Sequence, residues 1–154
     1  MSELQLLGDL VAHQAELRPA EGAVRSLDRR SNRLGRALVD LGVRPGDRVA
    51  ILCCDRHLPD RMVALVGAQK AAAQGVSLKP ERPATWLAEQ LCAVHPRLIL
   101  ACSEGVQAWR AAGVPGNVVG DEPGVTWWKL VEARQSAAPF QVPCCPEDVI
   151  SLVS

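Results

Sequence analysis

Residues 27–51 read LDRRSNRLGRALVDLGVRPGDRVAI, and three signals follow one another there. Leu27, Leu34, Leu38 and Leu41 recur at helical spacing on one face, with Arg29, Arg30, Arg33 and Arg36 placed mainly off it. Ser26 is the expected N-cap of this helix and Gly42 its glycine stop. Pro45-Gly46-Asp47 then favours a tight turn, because proline fixes one φ angle and glycine accepts a positive one. Val49-Ala50-Ile51-Leu52-Cys53 is a short, continuous apolar run. A strand buried on both faces reads this way, as in a parallel sheet.

The alternation continues outward. Leu6, Leu7, Leu10, Val11 and Leu17 predict a first helix. After the 49–53 strand, residues 62–73 are helical by composition and 75–78 form a weaker strand. Residues 85–94 predict a helix with Leu87, Leu91 and Val94 on one side. Leu98-Ile99-Leu100-Ala101 is a strong strand, 103–112 a short helix and 117–119 a strand. Residues 127–133 read as a last helix, 135–146 as a proline-bearing loop and 149–153 as a final strand. Strands separated by helices imply parallel pairing through right-handed crossovers. The expected fold is therefore α/β: an open, mainly parallel sheet with helices on both faces, in a single domain over residues 1–154, with the 49–53 and 98–101 strands at its centre.

Composition narrows the function. With 154 residues the chain can bury a real core, and 48% hydrophobic with 22% charged content is ordinary for a globular domain. Its 17 basic and 17 acidic residues cancel, which argues against a nucleic-acid module. No run approaches the roughly eighteen apolar residues of a membrane span. The start, Met1-Ser2-Glu3-Leu4, lacks the layout of a signal peptide, so a cytoplasmic location is expected. The cysteines Cys53, Cys54, Cys92, Cys102, Cys144 and Cys145 show no C-x-x-C spacing. They read as reduced, partly buried thiols that behave as small hydrophobes, with a metal or redox role as the alternative. In the 49–53 strand, successive side chains should alternate, which would send Cys53 and Cys54 to opposite faces.

The run Leu41-Gly42-Val43-Arg44-Pro45-Gly46-Asp47-Arg48-Val49 resembles the early part of the AMP-forming ligases: acyl-CoA synthetases, nonribosomal adenylation domains and their relatives. The resemblance extends over most of the chain. Residues 10–19 are similar to the family's entry helix. Lys70-Ala71-Ala72-Ala73 is similar to its KAGA, and Val76-Ser77-Leu78-Lys79-Pro80 to its VPLNP. Ala72 and Ser77 depart from the common glycine and proline, and Val24-Arg25 runs almost directly into Ser26-Leu27-Asp28, as if a hairpin strand had been removed. The ending, Glu147-Asp148-Val149-Ile150-Ser151-Leu152-Val153-Ser154, resembles the strand leading into the family's TSGTTG phosphate loop.

The resemblance implies attack of a carboxylate on the α-phosphate of ATP, loss of pyrophosphate, and passage of the acyl group to a thiol of CoA or a carrier protein. ATP and magnesium are implied only for a complete family member. The phosphate loop, magnesium ligand, ribose-binding carboxylate and catalytic lysine fall outside this sequence, so no catalytic, cofactor-binding or metal residue is carried over onto it. The first expectation is an N-terminal fragment or truncated relative, inactive alone, that contributes a wall of the acyl pocket. The alternative is a non-catalytic binding or regulatory module that self-associates or docks on a partner ligase, with Trp127-Trp128 as an aromatic anchor.

Independently of the resemblance, open α/β sheets bind ligands beyond the carboxyl ends of their strands. Asp55-Arg56-His57 follows the 49–53 strand and offers a carboxylate, a guanidinium and an imidazole. This triplet is the candidate for an anion or acyl-carrier contact, against a solvated loop in which Asp55 starts a helix. A small α/β enzyme built on these three residues is the third reading, though no nucleophile–base pair is visible. His13 and His95 are expected at the surface, and the three histidines share no metal-ligand spacing. Gly113-Val114-Pro115-Gly116 is a helix-ending turn and no phosphate cradle, since its proline removes a backbone donor.

Overall fold

The computed structural model describes residues 22–122, 125–126, 135–143 and 152–153. The entry helix over 10–19, His13, the 127–133 helix with Trp127-Trp128, Cys144, Cys145 and most of the 149–153 strand lie outside these residues.

The first described helix, α1 (Gly22–Asp40), is longer than its leucine spacing predicts. Ser26 lies within it, exposed, and is not its N-cap. Helical spacing of apolar residues marks the face that packs, and the helix extends past that face wherever the backbone can keep its hydrogen bonds. Leu34 and Leu38 are buried and Leu27 is partly so, whereas Leu41 lies past the helix end and is exposed. The helix stops as expected: Gly42 takes φ +94°, and the Val43 amide donates back to the Leu38 carbonyl at 3.0 Å.

Strand β1 (Arg48–Leu52) follows, then a single turn of 3-10 helix (Asp55–His57) and α2 (Leu58–Lys70). The order continues β2 (Gln74–Ser77), α3 (Ala84–Val94), β3 (Leu98–Ala101), α4 (Ser103–Ala112), β4 (Val118–Glu122), β5 (Val125–Thr126) and β6 (Leu152–Val153). Among the described residues the strands lie in the order β5-β4-β3-β1-β2-β6, parallel throughout except for β4 with β5. The two most apolar runs, β1 and β3, are central, and their register pairs Val49 with Leu98 through Leu52 with Ala101.

Val49–Leu52 of β1 and all of β3 are apolar because both faces of the sheet are covered. Val49, Ile51, Leu98 and Leu100 meet Leu34 and Leu38 of α1 and Val63, Ala64 and Ala68 of α2. Ala50, Leu52, Ile99 and Ala101 meet Leu87 and Leu91 of α3 and Val106 of α4. The expected three-layer sandwich is present.

One buried charge ties α1 to α2. Lys70, whose side chain is 4% exposed, directs its ammonium at Asp28 Oδ1 (2.9 Å), Ser31 Oγ (2.9 Å) and Asn32 Oδ1 (2.8 Å). A buried ammonium is tolerated only when its protons meet acceptors, and here they do. Residues 135–143 run across these helices as a strap without regular secondary structure, as the prolines predict. Arg36 donates to the Ser136 carbonyl at 2.8 Å and the Pro139 carbonyl at 3.1 Å and stacks on Phe140 at 4.9 Å. Asn32 Nδ2 donates to the Ala137 carbonyl at 3.1 Å, and the Val142 amide to the Lys70 carbonyl at 2.8 Å.

Candidate functional site

The chain leaves β1 towards β2 on one side of the sheet and leaves β3 towards β4 on the other. The carboxyl ends of β1 and β3 therefore flank a topological switch point, the place where open α/β sheets form a crevice. Leu52 is followed by Cys53, Cys54 and the Asp55–His57 turn. Ala101 is followed by Cys102 and, one residue later, by α4 with Glu104 in its first turn. The two exits are held together by a hydrogen bond from the Cys102 amide to the Leu52 carbonyl at 3.1 Å.

Gly105 makes that approach possible. A Cβ built on it would lie 2.0 Å from the Leu52 carbonyl oxygen, so α4 can start over the end of β1 only if this residue has no side chain. The close start places Glu104 above the crevice. One ligand-type atom from each of Cys54, His57, Cys102 and Glu104 falls within 4.8 Å of the others.

The expected triplet divides. Asp55 turns away to accept from Arg61 at 2.9 Å and stays exposed in the first turn of the 3-10 helix. Arg56 reaches Glu104 as an ion pair, with its side chain 74% exposed. His57 enters the cluster. Its Nε2 lies 3.3 Å from Glu104 Oε2, yet this buried atom has no hydrogen-bond partner among the described residues. The three residues do not converge on a common point. His95 is exposed, as expected, in a left-handed C-cap with φ 52°.

The cysteines need one correction. Cys53 and Cys54 do not go to opposite faces: both are buried in the cluster that packs on α1 and α2. The strand ends at Leu52, so the two-residue alternation ends with it and the 3-10 turn re-aims Cys54. The Cys102 thiol is held below the usual thiol range, chiefly because the Cys53 thiol donates to it, with help from the Cys54 and Gly105 amides and from His57 against the effect of burial. Cys53 is pushed up by the same hydrogen bond and by burial, and keeps its proton. Cys102 is fully buried. An adjacent cavity of about 420 Å³ is lined by Cys54, Asp55, Arg56, Pro80, Glu81 and Glu104.

Reading the sequence missed Cys54, Cys102 and Glu104 as one site. The pattern C-x-x-H over residues 54–57 and C-x-E over 102–104 was the available signal.

Comparison with known proteins agrees with the fold. The sequence model of the AMP-binding enzyme family matches residues 23–153. The structure is similar to an acyl-CoA synthetase from Brucella canis, with TM-score 0.74 and 19% identity, over 85% of this chain and 25% of that one. It is also similar to a benzoate CoA ligase from Burkholderia xenovorans LB400, with TM-score 0.70 and 22% identity, over 83% of this chain and 26% of that one. In sequence, 82 residues are 37% identical to malpinin synthetase from Mortierella alpina, covering 53% of this chain and 1% of that protein. The chain thus spans about a quarter of the length of these solved structures. Among the described residues no helix is long and apolar enough to cross a membrane.

Proposed function

The chain belongs to the AMP-binding enzyme family, and on that premise we propose that it forms the amino-terminal α/β layer of an AMP-forming acid–thiol ligase, walls part of the acyl pocket there, and does not adenylate a substrate by itself. The family match over residues 23–153 carries this reading. Two observations accord with inactivity of the chain alone. Its sequence contains no glycine-rich run of the TSGTTG type. Phosphoryl chemistry needs such donors to stabilise transferring charge. The switch-point cluster does not fit a magnesium–nucleotide site either: two thiols and an imidazole are soft donors, whereas magnesium takes oxygen ligands. ATP and magnesium are therefore assigned to the rest of the ligase, and no step is derived through them here. The same reading includes association with a larger body, whether that is a partner ligase or a second copy.

The test is ATP–pyrophosphate exchange by the purified chain with aromatic, short-chain and long-chain carboxylic acids. Background rates are expected throughout. Exchange above background that disappears in His57→Ala or Arg56→Ala would replace this reading with a small enzyme built on the 55–57 turn. Light scattering at micromolar concentration should show self-association, or a complex with an added ligase body. A sharply monomeric chain that binds no such body would instead describe a self-sufficient domain.

A further inference from the structure

Four features of the switch-point crevice point to one ligand. The donors are two sulfurs, an imidazole nitrogen and a carboxylate, and they come from two strand exits that are remote in sequence. The His57 Nε2 is buried and unpartnered among the described residues, which is costly unless another group partners it. The cluster sits where open α/β sheets place ligands. A cavity with Cys54 and Glu104 in its wall leads to it. We propose that Cys54, His57, Cys102 and Glu104 bind one divalent transition-metal ion of the zinc type, and that this ion clamps the exits of β1 and β3 together. The proposal stands apart from the ligase reading and does not depend on it.

The geometry is close to what such an ion needs. Zinc–sulfur distances of about 2.3 Å and zinc–nitrogen or zinc–oxygen distances of about 2.0–2.2 Å in a tetrahedron put neighbouring ligand atoms roughly 3.3–3.8 Å apart. The four atoms here lie within 4.8 Å of one another, so side-chain shifts of about 1 Å, derived from those distances, close the site. The movable ligand is Glu104, whose side chain is 34% exposed. Its present partners are Arg56, in an exposed ion pair, and Ser103, whose hydroxyl donates to it at 3.1 Å in an exposed hydrogen bond; such surface contacts contribute little, so exchanging them for a metal costs little. The donor set selects the metal. Calcium and magnesium require oxygen shells, whereas thiolate with imidazole suits zinc and cobalt(II) in tetrahedral geometry. Four protein ligands leave no open position, which describes a structural ion rather than a catalytic one. The Cys53 thiol and the Cys54 and Gly105 amides, which already donate to Cys102, would then support the metal-bound sulfur from outside. Binding displaces the Cys54 and Cys102 thiol protons to solvent and forms the two metal–sulfur bonds, with no change of oxidation state.

The experiment uses the full chain, purified with a phosphine reductant, stripped by a chelator and titrated with cobalt(II) and then zinc. One equivalent of cobalt should produce the visible bands of a tetrahedral site and thiolate charge-transfer absorbance, and zinc should bleach both. At a hundredfold excess of zinc over its Kd, Tm should rise by roughly 5–10 °C. Cys54→Ser, Cys102→Ser, His57→Gln and Glu104→Gln should each weaken binding at least tenfold. Cys92→Ser, and Cys144→Ser with Cys145→Ser, should leave it unchanged. If Cys102→Ser does not fold, the half-exposed His57→Gln and Glu104→Gln decide, with circular dichroism to confirm their folding. Absence of thiolate charge transfer, or binding that follows Cys144 and Cys145 instead of Cys54 and His57, overturns the proposal.

Discussion

Two buried polar clusters in this protein are built in opposite ways. At the seam of α1 and α2, the Lys70 ammonium meets a carboxylate, a hydroxyl and an amide oxygen at 2.8–2.9 Å. At the ends of β1 and β3, the His57 Nε2 stands 3.3 Å from a carboxylate with no hydrogen bond formed, beside two thiols that are weak hydrogen-bonding groups. The first cluster has matched donors to acceptors and behaves as structure. The second holds several strong ligands and few good partners, the state in which buried groups are available to something else.

The comparison can be broken most directly at Lys70. Lys70→Met should cost about 3–5 kcal/mol in urea unfolding, because Asp28, only 16% exposed on its side chain, would lose its partner in a largely buried seam. A cost near zero would mean that the seam is wet and the contrast false. Gly105→Ala tests the geometry of the other cluster. The added Cβ meets a main-chain oxygen at 2.0 Å that cannot rotate away, so about 2–3 kcal/mol should be lost. The same variant should lift Glu104 off the crevice and weaken cobalt binding; unchanged affinity would detach the metal proposal from the close start of α4. The smallest effect sharpens the contrast. Metal-free Glu104→Gln removes an exposed ion pair and a misaligned contact and takes the charge off an exposed hydrogen bond accepted from Ser103 Oγ at 3.1 Å, so its unfolding free energy should shift by less than about 1 kcal/mol. A large loss there would make the second cluster as structural as the first.

The strap over 135–143 shows a similar division between what sequence announces and what packing adds. Its prolines announced irregular chain. Nothing in them announced that Arg36 would collect the carbonyls of Ser136 and Pro139, or that Gln69 and Gln141 would pair at 3.3 Å. Such contacts join side chains to backbone groups about a hundred residues away in the Arg36 case, and no local period encodes them.

The sequence by itself determined the layers. Continuous apolar runs at 49–52 and 98–101 can be buried only between two covered faces, and the 3.6-residue spacing of Leu34, Leu38, Leu87 and Leu91 marks helices that cover them. It also placed the stop at Gly42, since a left-handed residue is a local requirement. Tertiary structure decided what the ends of those strands do together. Which side chains share the crevice depends on the register that sets Leu52 beside Ala101, on the opposite crossovers that make a switch point there, and on the missing Cβ of Gly105 that lets α4 close over it. Cys54, His57, Cys102 and Glu104 are neighbours only because of those three-dimensional constraints, and a spacing rule read along one chain cannot see across a sheet.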